Sequence, residues 1–245
     1  MQLSELLLLS GNDIPFMGAQ VNIHQPTLKE IALIGEEDFH IGCRFLSFNK
    51  NQLSPEDKIG LEDQSDFNIF MSVMNSRDRA RHKTDALMIL ALLFPQYSFK
   101  IEQNKILLQS EKFSSSINEQ NYDEFKSILS QIFCLDAGDK EYDPADALAA
   151  RIAEKLKKRK EKLENLKQGD DQRINIFGLF VSTLAVGLQK DMNDLMNYTV
   201  YQIRDEYKRF QLKYVFDQNF SARLAGAQDL EEVSNWMEDY TSLKI

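Results

Sequence analysis

Three histidines and two cysteines are the side chains best suited to chemistry in this chain. His24, His40 and His82 are scattered, and none has a carboxylate at a spacing that would orient it as a general base. His40 and Cys43 stand three apart in a stretch that reads as helix, so both side chains can reach one metal ion. The sequence offers no second pair of ligands, and apolar neighbours favour a packed interior for this pair. The acidic groups Asp136 to Asp143 and Asp191 to Asp194 invite a calcium reading. Neither has the D-x-[DN]-x-[DN]-G loop with its distal glutamate, so capping and turn roles are the simpler assignment. G-x-S-x-G, G-x-x-x-x-G-K-[ST] and G-x-G-x-x-G are also missing from the sequence. The expectation is a non-enzyme, with no catalytic residue, metal or cofactor, that acts by binding.

Composition narrows what it binds. A net charge of −9 argues against general affinity for nucleic acid or for an anionic membrane surface. Over 245 residues, 43% hydrophobic and 27% charged content is ordinary for a soluble globular protein with an ample core. Cys43 and Cys134 are too few for a disulfide framework and read as reduced core fillers. The N-terminus, whose longest apolar run is Leu6 to Leu9, lacks the cationic region and cleavage site of a signal peptide. These features predict a soluble, cytoplasmic protein.

The elements that position these residues are mainly helical, with a small β-element in the N-terminal half. Ile174 to Leu188 is apolar on nearly every face and too short to span a bilayer, so it predicts an enclosed core helix. After Gly187, Asp191 or Asn193 can cap a second helix whose Met196, Val200, Ile203, Tyr207, Phe210 and Tyr214 alternate steps of four and three. A last helical turn follows Gly226, with Asp229 and Glu232 as a capping box and Trp236 near its end. Earlier in the chain, Ala19 to His24 alternates as a short strand with Val21 and Ile23 on one side. Thr27 and Glu30 form a capping box for a helix from Leu28 to Ile34 that Gly35 ends. The next helix, from Glu36, carries Phe39, Cys43 and Leu46 on one stripe, with acidic residues in its first turn. Ser54-Pro55 is another helix start. Phe67, Phe70, Met71 and Met74 mark a helix; Ser76 caps a longer one whose Thr84, Leu87, Met88 and Ala91 share a face until Pro95. Tyr97 to Glu102 and Lys105 to Gln109 read as a hairpin about Gln103-Asn104, with the earlier strand as a candidate third member of its sheet. Tyr122 to Phe133 is helical, with Phe125, Ile128, Leu129 and Ile132 inward.

Three segments follow: an α+β domain over 1–140, a charged helical connector over 141–171, and a helical domain over 172–245. Within the connector, Arg151 to Lys167 holds eight basic side chains against three acidic ones. No aromatic ring interleaves the lysines, so base stacking has no platform, and i,i+4 pairs such as Glu154 with Lys158 support a solvated helix. The last seventy residues hold more aromatic side chains than one interior stripe needs. Tyr207, Phe210, Tyr214 and Trp236 are therefore the candidate partner-binding residues.

Two stretches carry a resemblance. The run LFVSTLAVGLQKDMNDLMNYTVYQIRDEYKRFQLKYVFDQNFSARLAGAQDLEEVSNWMEDY and the segment IHQPTLKEIALIGEEDF resemble proteins encoded among the tail genes of phages and prophages of Gram-positive bacteria, with the hairpin and the following helix in the same order. They look like tail assembly chaperones made upstream of the tape measure gene, in the host cytoplasm. The resemblance implies a holding function without an active site: coating the long, apolar-faced tape measure protein, with the tail tube protein as a second partner, until the tube polymerises. It covers most of the chain as a pattern, and the large helical C-terminal half departs from compact chaperones of this kind. A minor tail or connector protein of the virion is the alternative, and a nucleic-acid-binding regulator using the basic helix a third. Self-association is compatible with the spare apolar surface.

Overall fold

The computed structural model describes residues 2–50, 61, 63–76, 80–135, 176–226 and 237. These residues are mainly α-helical, with two small antiparallel sheets in the N-terminal half. In chain order they form α1 (Glu5–Ser10), β1 (Ile14–Phe16), a 3-10 turn (Met17–Ala19), β2 (Val21–Ile23), α2 (Leu28–Ile34), α3 (Glu36–Leu46), α4 (Asp66–Asn75) and α5 (Ala80–Leu93). Then come β3 (Ser98–Glu102), β4 (Lys105–Gln109), β5 (Ser114–Ile117), α6 (Tyr122–Phe133), α7 (Ile176–Leu188), α8 (Met192–Met196) and α9 (Val200–Leu224). No helix among the described residues is long and apolar enough to cross a membrane.

Local signals account for many of these boundaries. The Thr27 hydroxyl accepts the Glu30 N–H while the Glu30 carboxylate accepts the Thr27 N–H at 2.7 Å, a complete capping box at the start of α2. In α3 the sequence puts Phe39, Cys43 and Leu46 one turn apart, and all three are buried. Ser65 caps α4 by accepting from the Asn68 N–H, and α5 stops at Leu93 ahead of Pro95. The hairpin forms with Glu102 opposite Lys105, and α6 buries Phe125, Ile128, Leu129 and Ile132.

Several expectations change. The strand Val21–Ile23 does not join the hairpin; it pairs with β1, where Ile14 faces Ile23 and Phe16 faces Val21, all four buried. Pro15 is tolerated there because it sits at the exposed position of a two-stranded ribbon. The hairpin instead gains β5 as its third strand. The inward face of α5 is Ala86, Ile89, Leu90 and Leu93, whereas Thr84 and Ala91 are exposed. Ser76 closes α4 as its C-cap. Met196 belongs to the separate helix α8, which Asp191 caps by accepting the Asn193 N–H at 2.7 Å. Helix α7 is not enclosed all round: Phe177, Val181, Leu184 and Ala185 are buried, but Leu179 and Val186 are exposed. The helix starts at Ser54-Pro55 and beyond Gly226, and the basic run Arg151 to Lys167, lie outside the described residues.

The chain divides into two compact units, Met1–Asp136 with Phe177–Phe210, and Ala137–Ile176 with Gln211–Ile245. This grouping differs from three consecutive segments, because the stretch Phe177–Phe210 completes the core of the N-terminal residues. Hydrogen bonds between distant parts of the sequence make that core continuous. The Leu28 N–H donates to Tyr198 O (2.9 Å), Gln202 Nε2 to Leu9 O (2.7 Å) and Arg204 Nη1 to Cys134 O (3.1 Å). An antiparallel bridge joins Thr27 to Thr199. Phe16, Phe39, Phe94, Phe125, Ile128, Leu184, Val200 and Ile203 are all buried in that core.

Candidate partner-binding surface

The first turn of α9 is built by a second capping box. The Thr199 N–H donates to Gln202 Oε1 at 2.8 Å, and the Gln202 N–H donates to the Thr199 hydroxyl at 3.3 Å. The same Gln202 side chain reaches Leu9 O through Nε2 and so ties the helix to α1. The T-x-x-Q spelling was available in the sequence as a start signal for α9. Arg209 then bridges Asp205 (3.1 Å) and Glu5 of α1 (3.4 Å). On the other side of the linker, Lys190 pairs with Glu206 at 2.5 Å and donates to the Tyr198 hydroxyl at 3.0 Å.

Against α9 stands α7, and this contact decides the status of two candidate binding residues. The Tyr207 ring lies 4.3 Å from the Phe180 ring, centroid to centroid, and both are half-buried against the core. Phe210 crosses over Gly187: a Cβ at that glycine would come within 2.4 Å of Phe210 Cζ. Tyr207 and Phe210 thus use much of their rings to hold α7 and α9 together. Tyr214 is 57% exposed. Trp236 lies outside the described residues. Of the four candidates, Tyr207 and Phe210 come together at the contact with α7.

Exposed apolar side chains occur along the chain, among them Leu6, Met17 and Leu33, and also on these two helices. Leu179 and Val186 on α7 stay open at 56% and 79%, and Val215, Phe220 and Leu224 on α9 at 47%, 56% and 75%. From Gln211 to Leu224 no residue of α9 is buried. Phe216 and Phe220 stack in near-parallel planes with centroids 6.4 Å apart.

Of the residues considered for chemistry, Cys43 and His40 are packed against the core. Cys43 is fully buried, and burial pushes its thiol well above the usual value. The His40 ring lies 5.2 Å from the Phe177 ring, with Nε2 3.5 Å from Glu36 Oε1. Burial lowers the His40 pKa despite the opposing pull of Glu36. Glu36 in turn accepts the Phe177 N–H at 3.0 Å, so a carboxylate of α3 caps the start of α7. His24 sits between Asp13 (3.0 Å) and Glu30 (3.3 Å), each ring nitrogen facing a different carboxylate. For His82 the structure describes the helical backbone of α5 only. Among the described residues, no group of three or more His, Cys, Asp or Glu side chains could hold a metal ion. A shallow open depression beside the β4–β5 turn, bordered by Ser98, Gln109, Ser110 and Phe113, is polar and unenclosed.

No curated protein and no solved structure matches the chain. Residues 171–241 match a family model described as the YomV second domain, a phage-derived family of the Bacillus prophage type. That stretch takes in all of α7, α8 and α9.

Proposed function

We propose that this protein is a phage tail assembly chaperone that binds the tape measure protein, and secondarily the tail tube protein, before the tube closes. The observations that carry this reading are the exposed Leu179 and Val186 of α7 and, separately, the exposed Val215, Phe220 and Leu224 of α9, all within the stretch that matches the family model. A tape measure protein is a long helical chain with apolar faces, and a holding protein needs apolar helix surface to offer it. The net charge of −9 keeps a coated complex dispersed.

Co-expression with the tape measure protein of the same phage tests this directly. A chaperone keeps the tape measure in the soluble fraction and co-purifies with it, and mass spectrometry of finished particles finds the tape measure but not this chain. Stoichiometric recovery of this chain from purified virions would instead make it a minor tail or connector component.

A further inference from the structure

The three-stranded sheet has two edges, and they end differently. Register fixes which backbone groups face outward, because hydrogen-bonded pairs alternate along an antiparallel ladder. The Ser110 N–H donates to Phe113 O at 2.9 Å, so the backbone groups of Ser110, Leu108 and Ile106 face β5. Those of Gln109, Leu107 and Lys105 therefore face β3, opposite Ser98, Lys100 and Glu102. That leaves the N–H and C=O of Phe99 and Ile101 pointing off the outer edge of β3. At the other edge the outward carbonyl of β5 is closed, since Asn121 Nδ2 donates to Ser116 O at 2.9 Å. No described residue bonds the outward groups of Phe99 or Ile101. Their side chains show the same opening. Leu108 and Ile106, their cross-strand partners, are buried, whereas Phe99 and Ile101 pack on the core and stay partly exposed.

We infer that the outer edge of β3 is a docking site for an extended segment of another protein, which adds to the sheet as an antiparallel fourth strand. Unpaired N–H and C=O groups on alternate residues of an edge match only a backbone in the extended form. The incoming strand carries apolar side chains opposite Phe99 and Ile101, where they complete the cover of both, and a polar one between them. A second copy of this chain does not fit, because each twofold register meets an obstacle. With the axis at Lys100, the two Lys100 side chains oppose each other at the closely spaced, non-hydrogen-bonded position. With the axis at Phe99, Ile101 needs the backbone of Tyr97, whose N–H is already donated to Phe94 O at 3.0 Å. With the axis at Ile101, Phe99 falls opposite Gln103 in the turn, whose carbonyl accepts from Asn75 Nδ2 at 3.5 Å. A foreign strand meets none of these. The edge lies on the N-terminal sheet, so the inference goes beyond the holding function proposed for α7 and α9 and does not depend on it.

The test uses the full chain and two synthetic peptides of alternating valine and threonine. One is N-methylated on its threonines, which leaves the valine N–H groups free to meet β3; the other is N-methylated on its valines, which removes them. Fluorescence anisotropy should show the first binding about tenfold or more tightly, as expected for the main-chain bonds lost. Ile101→Pro removes an outward N–H and no bond to β4, so it should lose about tenfold or more in affinity at a nearly unchanged melting temperature. Amide exchange followed by NMR should find Phe99 and Ile101 fast in the free protein and slowed by the first peptide, with Lys100 slow throughout. Equal binding of the two peptides, or Phe99 and Ile101 amides as slow as Lys100 in the free protein, overturns the assignment. Both measurements use the wild-type chain, so they decide the matter even if Ile101→Pro melts early. A dimer in sedimentation that Ile101→Pro abolishes overturns it in favour of self-pairing.

Discussion

Replacing Gly42 by alanine tests how closely α3 and α5 approach. Gly42 is buried in the middle of α3, where alanine is intrinsically favoured by about 0.8–1.0 kcal/mol. Propensity alone predicts a stabilised protein. A Cβ placed there, however, lies 2.5 Å from Ile89 Cγ1 and 2.9 Å from the carbonyl oxygen of Asp85. The isoleucine can rotate, but the carbonyl belongs to the backbone of α5, so the two helices must separate by several tenths of an ångström. Overpacking of this kind costs about 1–3 kcal/mol, and movement of a helix puts it at the upper end, leaving a net loss of about 2 kcal/mol. Urea unfolding followed by far-ultraviolet circular dichroism should show the midpoint falling by about 1 M if m is about 2 kcal/mol/M. Ile89→Ala alone should cost about 2–5 kcal/mol by leaving a cavity. The double variant should lose less than the sum, since the smaller side chain makes room for the new methyl group. A Gly42→Ala protein as stable as wild type, or more stable, would refute the close approach.

Tyr207→Ala should destabilise by about 1–3 kcal/mol because it empties the contact with Phe180, whereas Tyr214→Ala should stay within about 0.5 kcal/mol; thermal melts of the two compare them directly. Gln202→Ala removes half of a capping box and the bond to Leu9 O, and should cost about 1–2 kcal/mol by denaturant titration. Burial by itself would raise the Glu30 carboxyl, but hydrogen bonds from Thr27 and the neighbouring His24 outweigh it and hold it below the usual carboxylate range. Burial likewise opposes, and Lys126 with Lys50 outweighs, at Asp66, which is also held low. Both contributions are present above the unfolded carboxylate pKa and are lost as pH falls through the lower folded values. Glu30→Gln should therefore flatten the acid limb of the stability profile below the ordinary carboxylate range, and an unchanged limb would count against the capping box as its source.

What could be read without coordinates was what is local. The T-x-x-E box of α2, the stop at Gly35, the stripe of α3 and the hairpin register all depend on residues within one or two turns of each other, and all appear in the structure. Strand partners were harder. Ile14-Pro15-Phe16 looks like a turn because proline dominates it, and Ser114-Ser115-Ser116 has no strand-forming side chains until a neighbouring strand supplies the pairing. The face of α5 was misjudged by two positions because Leu87 and Met88 are as apolar as Ile89 and Leu90, so hydropathy barely distinguishes the two sides. Periodicity placed Tyr207, Phe210 and Tyr214 on one side of a helix but could not say what that side touches. Only the position of Phe180 and Gly187, some twenty-five residues earlier, decides that.

The antiparallel bridge between Thr27 and Thr199 has a consequence for biosynthesis. A ribosome that has just delivered Phe133 has made strands, hairpin and six helices whose inner surface still waits for Phe177, Leu184 and Ile203. At 5–20 residues per second, the roughly 70 residues up to Ile203 take about 4 to 15 s to arrive, and Phe39 lacks its later aromatic neighbour Phe177 for the first 44 of them. A polypeptide released early, anywhere short of Phe177, would keep that gap permanently and should be captured by the host's folding factors or precipitate.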